Sequence, residues 1–472
     1  MSIALDTRTD QALLPRKARR DLGREARTRL PVDSHGEVAP SDSDPISVLE
    51  RQAESRVPSL IALRHARMAS SPFAFYRGAA AIMADDLREV PDSGIITHLC
   101  VDAHLSNVGV FASPERSLVI DLNDFDETAQ GPFEWDLKRM AASFEIAARA
   151  RGFDDETRAR IVMRVVRAYG AAMRQAARTP LVELFTARLD MEDVLTGLSS
   201  ELATEASERA HRIIAKSRRR DSRQAANSLA ERVDGVWRFR SDPPILVPFR
   251  HIAEESGLSS DDAEQRIRDI FETYRETLPP ERRRVLDRFR MVDAAMKVVG
   301  VGSVGTRAWV VLFQGNGKND VLMLQAKEAQ QSVLERPGEP SAYTHQGQRV
   351  VHGQRIMQAL GDVLVGWTTG TGIDGRDRDF YVRQFRDWKG SAEPEVMEPS
   401  TMRIYAEYCG IILARAHARG GDPAFISGYV GDAKDFARAI LDFSVAYADR
   451  TEADHAALLG AIAEGRVEAS AS

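Results

Sequence analysis

The order of apolar patterns along the chain predicts an α+β fold, with a dominant helical lobe and a smaller antiparallel β lobe. Three observations carry that expectation. Amphipathic runs with helical spacing fill most of residues 59–89 and 133–290, whereas β-branched and aromatic runs broken by glycine turns crowd into residues 291–390. Between the helical runs, two short buried stretches within residues 95–127 end in clusters of carboxylates.

At 472 residues the chain has room for about three domains. Its 43% hydrophobic and 28% charged content is that of an ordinary globular protein, and a net charge of -6 gives no reason to expect nucleic acid as a partner. Cys100 and Cys409 sit in apolar runs and match neither a disulfide framework nor a metal-binding spacing, as expected in a reducing cytoplasm. No apolar run reaches the length of a membrane span, and the first residues lack the apolar stretch of a secretory signal, so a cytoplasmic location and no membrane partner are expected.

Residues 1–58 mix charge, Pro and Ser with little periodicity and read as a flexible arm, with a solvated basic run at 16–20. Residues 59–185 follow as the first half of the large lobe. Ser71 before Pro72 has the form of a helix N-cap with proline at the first position, and the helix continues to about residue 89. Arg64, Arg67 and Arg77 around it suit bidentate binding of anions, or else act as counter-ions to nearby carboxylates. Gly131 and Pro132 open a long helix in which Asp136 favours the positive end of the dipole. Residues 186–290 form a helical region containing the basic cluster Lys216, Arg218, Arg219, Arg220 and Arg223, which lacks interleaved aromatics and reads as a solvated loop. An irregular hairpin with Pro243 and Pro244 occupies residues 233–250. Residues 291–390 are the small β lobe, and residues 391–472 return to helices, one of which spans 402–417 and stops at Gly420 and Gly421. His352 and His417 read as hydrogen-bonded structural residues.

Residues 97–127 are densest in polar groups able to do chemistry. The run Ile95, Ile96, Leu99, Cys100, Val101 reads as a strand that breaks into Asp102, His104 and Asn107; a second strand at 117–120 ends in Asp121, Asn123, Asp124, Asp126 and Glu127. Carboxylates at a sheet rim hold a divalent cation through hard oxygens or accept a proton from a hydroxyl. Capping of turns and helices is the plainer alternative.

Gly300, Gly302 and Gly305 match G-x-G-x-x-G, with Ser303 between them. A dinucleotide-binding turn of that form must open a helix, whereas here a strand at 308–313, a turn at 315–320 and a strand at 321–327 follow. That order is the glycine-rich hairpin that covers nucleotide phosphates in kinases, and Lys327 stands where the next strand carries the phosphate-reaching lysine. A plain hairpin whose glycines serve only the turn is the alternative.

Two resemblances rest on these residues. The blocks SPFAFYRGAA, DAHLSNVGVF, DLNDFDE, WDLKR, VGVGSVGTR, QAKEA, GQRVVHGQR, YVRQFRDWKGS and LARAHARGGD, over about residues 60–455, resemble an uncharacterised bacterial family catalogued as domain of unknown function 2252. The form D-x-H-x-x-N of Asp102, His104 and Asn107 resembles the catalytic loop of the protein-kinase-like superfamily, especially its aminoglycoside and choline phosphotransferase branches. That second resemblance implies a two-lobe kinase-like fold, ATP and Mg2+ as cofactors, and a nucleotide plus an acceptor of unknown identity as partners. Asp102 would orient or deprotonate the acceptor hydroxyl, Asn107 would bind magnesium, and Asp121 at the strand end or Asp124 in its Asp-Phe pair would bridge metal to phosphates. Gly300, Gly302, Ser303, Gly305 and Lys327 would hold the nucleotide. Asp136 resembles the structural Asp of the following helix, and LARAH, ending at His417, resembles the helix that precedes a kinase catalytic loop. Val101 stands where that branch carries Gly, and no clear partner Glu for Lys327 lies on a following helix, although Glu335 is close. Since the glycine turn follows the catalytic loop here, the resemblance implies circular permutation, with a hinge at about residues 381–387. The expected activity is ATP- and magnesium-dependent phosphotransfer to a small molecule or protein. Nucleotidyl transfer, a non-catalytic nucleotide-binding regulator, and metal-dependent phosphoester hydrolysis are the alternatives.

Overall fold

The computed structural model describes residues 11, 13–39, 44–198, 204–257, 259–298, 300–317, 320–335, 342–372 and 374–470. It is an α+β structure in which all named strand pairs are antiparallel. In chain order, α1 (Arg16–Arg29), α2 (Pro45–Ala53), α3 (Ile61–Ala69), α4 (Pro72–Gly78) and α5 (Ala80–Arg88) lead to β1 (Ile96–Leu99), β2 (Val108–Ala112), β3 (Leu118–Leu122) and β4 (Ala129–Pro132). The long helices α6 (Phe133–Ala150) and α7 (Asp155–Ala176) follow, then two short helices, then α8 (Thr204–Arg218) and α9 (Ser222–Leu229). The hairpin β5 (Ala230–Val233) and β6 (Val236–Phe239), β7 (Leu246–Pro248) and α10 (Ser260–Glu276) precede β8 (Arg290–Lys297), β9 (Ala308–Gln314) and β10 (Val321–Glu328). The chain ends with α11 (Gln346–Met357), β11 (Gly366–Thr371), β12 (Asp377–Gln384), β13 (Gly390–Ser391), α12 (Pro399–Gly420), α13 (Pro423–Val430) and α14 (Lys434–Ala463).

The large lobe is built on α6, α7, α12 and α14, whose apolar faces meet at Leu137, Met140, Phe144, Val165, Tyr169, Ile412, Leu413 and Phe436. Gly410 lets α12 approach α7 closely, because a Cβ there would lie 2.2 Å from the Val165 carbonyl oxygen. Ser71 caps α4 as its sequence predicts, accepting from the Ala74 N–H at 3.0 Å.

Residues 1–58 read as a flexible arm, yet α1 and α2 within that stretch pack on the fold, with Ala26, Val32, Ile46, Val48 and Leu49 buried. The reason is a close seam of small residues that carries no strong apolar signal. Gly23 of α1 faces the Phe425 carbonyl and Gly428 of α13 faces that of Arg20, each 2.1 Å from where a Cβ would stand.

The small lobe is one six-stranded sheet in the order β11-β12-β10-β9-β8-β7. Alternation along its strands buries both faces: Ala295, Val310, Leu312 and Met323 pack with Trp237 and Phe239, while Val311, Phe313, Leu322 and Leu324 pack with Tyr274 of α10. The 186–290 helical region thus supplies cover to this sheet.

The strands read at 95–101 and 117–120 do not pair with each other. β1 pairs with β4, Thr97 opposite Gly131, and β3 pairs with β2, Val110 opposite Ile120. β2 was hidden by its glycine and short length. Gly390 of β13 lies opposite Val110, so the segment leaving the small lobe adds an edge to the large-lobe hairpin.

Candidate functional site

A cavity of about 250 Å³ lies between the lobes. Asp102, His104, Asn107, Asp124, Asp126 and Glu127 line it from one side, Gly300, Gly302 and Ser303 from the other, and Arg56 and Arg77 from the helices before β1. The carboxylate segment and the glycine turn, distant in sequence, thus share one wall-to-wall space.

The Asp102 loop is fixed from below by α6. The N–H groups of Cys100 and Val101 donate to the two Asp136 oxygens at 2.7 Å each, and His417 Nε2 lies 3.2 Å from Oδ2. Tyr169 Oη is 2.9 Å from His417 Nδ1, completing a fully buried brace from α7 and α12. Val101 has φ +68°, the left-handed conformation that explains why glycine suits this position. One turn after Asp136, Arg139 donates through Nε to Asp102 Oδ1 at 2.9 Å and through Nη2 to the Tyr76 carbonyl at 3.0 Å. Burial pushes the Asp102 carboxyl up to about 6, with Asp124 adding to the rise and Arg139 and Arg77 opposing it.

His104 is held neutral by burial, Arg139 and Arg77, and its Nδ1 accepts from the Ser106 N–H at 3.2 Å. Asn107 Nδ2 donates to the Asp102 carbonyl at 2.6 Å, leaving Oδ1 as its spare acceptor.

Of the two candidate metal ligands, Asp124 alone lines the cavity. Asp121, within β3, accepts from the Leu122 N–H and has Oδ2 3.5 Å from Arg419 Nη2, away from the cavity residues. Asp121 thus lies inside β3, one residue before its end, with its carboxylate engaged by that ion pair. Asp124 Oδ1 is buried without a hydrogen-bond partner, and burial and Asp126 push its carboxyl up. Asp126 receives the Lys327 ammonium, and Tyr381 Oη donates to it at 2.5 Å. Burial alone would raise the Asp126 carboxyl, but Lys327, Tyr381 and Arg383 outweigh it and hold the group at about 2. The register that sets Lys327 opposite Tyr381 aims both at the same carboxylate.

Lys327 therefore pairs with Asp126, and Asp124 lies 3.9 Å away; Glu335 is not among its ion pairs. Ser303 Oγ is 3.4 Å from the same ammonium. The following helix, α11, contributes Arg349, which donates to the carbonyls of Asp126 and Gln330 at 2.8 Å each and fixes the carboxylate loop. Glu127 accepts from the Val333 N–H at 2.8 Å; burial pushes its carboxyl up to about 7 against the pull of Arg349.

The glycine turn is gripped by the helices before β1. Arg67 Nη1 donates to the Gly300 carbonyl at 2.6 Å, Arg56 Nη1 to that of Val304 at 2.5 Å, and the Val57 N–H to that of Gly305 at 2.8 Å. Gly305 has φ +90°, and a Cβ on Gly302 would come within 3.0 Å of the Arg77 carbonyl. Of Arg64, Arg67 and Arg77, only Arg77 lines the cavity, and its Nε is buried without a partner. Arg64 is spent on Gln52 and the Gly78 carbonyl.

Sequence reasoning missed Arg56, Arg139 and the pairing role of Asp126. Arg139 follows Asp136 by one helical turn, and Asp126 follows Asp124 at the two-residue spacing that returns a side chain to the same side, so both had a signal; Arg56 had none. Among the described residues, no group of three or more His, Cys, Asp or Glu side chains is arranged to close on a metal by itself. Asn107 with Asp124 instead fits a hard cation that keeps water and takes further oxygens from a phosphate, as magnesium does.

A family model described as "Uncharacterized protein conserved in bacteria (DUF2252)" matches residues 56–461. No curated protein and no solved structure matches the chain.

Proposed function

We propose that this chain, which belongs to the DUF2252 family of bacterial proteins, is an ATP- and magnesium-dependent phosphotransferase of protein-kinase-like design with its parts in circularly permuted order. The observation that carries the reading is the ion pair of Lys327 with Asp126, 201 positions earlier, inside one cavity with Asp102, Asn107 and Asp124. The order glycine turn, lysine on the next strand but one, and helix is that of a kinase small lobe, and a loop bearing Asp and Asn followed by a strand and Asp-Phe is that of its large lobe.

In this reading the glycine turn, Lys327, Ser303 and Arg77 bind the phosphates, since charged donors bind such oxygens strongly. Asn107 Oδ1 and Asp124 would hold magnesium, which when bound would neutralise charge on the phosphate oxygens. Asp102 orients the acceptor hydroxyl and takes its proton while a new oxygen–phosphorus bond forms at the γ-phosphorus and the bond to the β-phosphate oxygen breaks, releasing ADP. With its carboxyl at about 6, Asp102 is ionised at neutral pH yet basic enough to share that proton. Asp136, His417 and Arg139 act as positioning residues.

Purified protein should melt at higher temperature with Mg-ATP, by about 2.7 kcal/mol of added stability when nucleotide is 100 times its dissociation constant. Asp124→Ala should abolish the magnesium dependence, and Asp121→Ala should leave it. The absence of any shift at millimolar nucleotide would overturn the proposal.

A second reading, nucleotide binding without turnover, is favoured by the pairing of Lys327 with Asp126 and of Asp102 with Arg139, which occupies two groups that catalysis needs free. It predicts the same thermal shift with no release of ADP. Nucleotidyl transfer is told apart by whether label from the α- or the γ-phosphate reaches the product.

A further inference from the structure

The basic cluster that reads as a solvated loop is folded into a cleft of about 890 Å³. Arg212 and Lys216 of α8, Arg219 and Arg220 of the following turn, and Arg386 and Lys389 of the segment leaving the small lobe line it from two sides. Its remaining described lining residues are Ala215 and Gln224, so no carboxylate among the described residues lines the space.

None of the six has an ion pair within 4.0 Å among the described residues, whereas Arg218 of the same run is paired with Glu192. The nearby acids are committed elsewhere: Asp221 caps α9 through the Gln224 N–H at 2.8 Å, and Asp387 receives Arg116 at 2.9 Å. In a chain whose net charge is -6, six unpaired cations around one concavity concentrate positive potential there.

The cleft is also built rather than draped. The Trp388 N–H donates to the Arg220 carbonyl at 2.7 Å and Arg220 Nη1 to that of Lys389 at 3.2 Å, locking the two walls together. Arg386 and Trp388 hold φ +57° and +58°, left-handed conformations at two residues other than glycine in this segment. The Lys389 ammonium makes no hydrogen bond within the described residues. Burial, with Arg383 next, pushes it down to about 7 against the opposing pull of Asp124 and Asp362, a cost that an arriving anion relieves.

We propose that this cleft is a second ligand site, separate from the Lys327 cavity, for a small molecule bearing two or more clustered phosphates. The two-walled shape and the volume fit a compact ligand. The lining offers no aromatic ring on which a nucleic-acid base would stack. No lining residue is shared with the Lys327 cavity, so the proposal stands or falls independently of phosphotransfer.

The test is calorimetric titration of the full chain with tripolyphosphate, without magnesium, at low and raised salt. Saturable binding is expected, weakened at least about tenfold by the double substitution Lys216→Glu, Arg219→Glu and by raised salt, and left within about twofold by Lys327→Met. Lys216 and Arg219 are exposed, and an unchanged melting curve verifies the fold. Absence of saturable binding, or binding indifferent to the double substitution, overturns the site. Tighter binding of a single-stranded RNA through the same two residues overturns the ligand class.

Discussion

At Val101 a β-branched residue holds φ +68°, a conformation that costs such a side chain roughly 1–2 kcal/mol, and two backbone N–H bonds to the Asp136 carboxylate keep it there. The strain lies directly before Asp102, so the brace sets the direction of that carboxylate. Glu127 carries a titration of its own. Its folded carboxyl, at about 7, lies above the ordinary value of 4.5, so the folded state keeps a proton that the unfolded chain has lost between those values. Stability from this group is therefore full below pH 4.5 and declines as pH rises to about 7. Glu127→Gln, which cannot ionise, should gain melting temperature relative to the natural chain at pH 8 compared with pH 5. Equal differences at the two pH values would refute the buried-acid account.

Single elements were legible where their chemistry is local. The Ser71–Pro72 cap, the turn at Gly300 to Gly305 and the strand that carries Lys327 all follow from short-range rules on proline, glycine and alternation. β2 was not legible, because its Val-Gly-Val-Phe-Ala run is short and is a strand only by virtue of β3 and β13 beside it. Nor was the approach of Arg419 from α12 to Asp121, which sets that carboxylate's surroundings apart from those of Asp124. The α1 helix was invisible for a different reason, since its buried seam is made of glycine and alanine rather than large apolar residues. Gly428→Ala tests that seam: a Cβ 2.1 Å from the Arg20 carbonyl forces α1 outward. A loss of about 1–3 kcal/mol is expected, together with faster proteolysis before residue 30. A melting curve equal to that of the natural chain would show the seam to be dispensable.

At the scale of the whole molecule, the α+β class follows from the succession of periods along the chain, but the meeting of residues 102–127 with residues 300–327 does not. It depends on a sheet whose two faces are covered by helices from residues 186–290 and on a lysine register set by β12. The large lobe is likewise made from both ends of the chain, with His417 of α12 reaching back 281 positions to Asp136. A chain ended after residue 391 should therefore fail to give a soluble, cooperatively melting large lobe, since α7 would lose the helix that covers it; a soluble product with a sharp transition would refute this. The same connection has a consequence in time. At translation rates of roughly 5–20 residues per second, the interval between the emergence of Asp136 and that of its histidine is on the order of tens of seconds. For that interval α6 and α7 stand on the ribosome without their partner, and the loop bearing Asp102 gains its full support only once α12 has emerged.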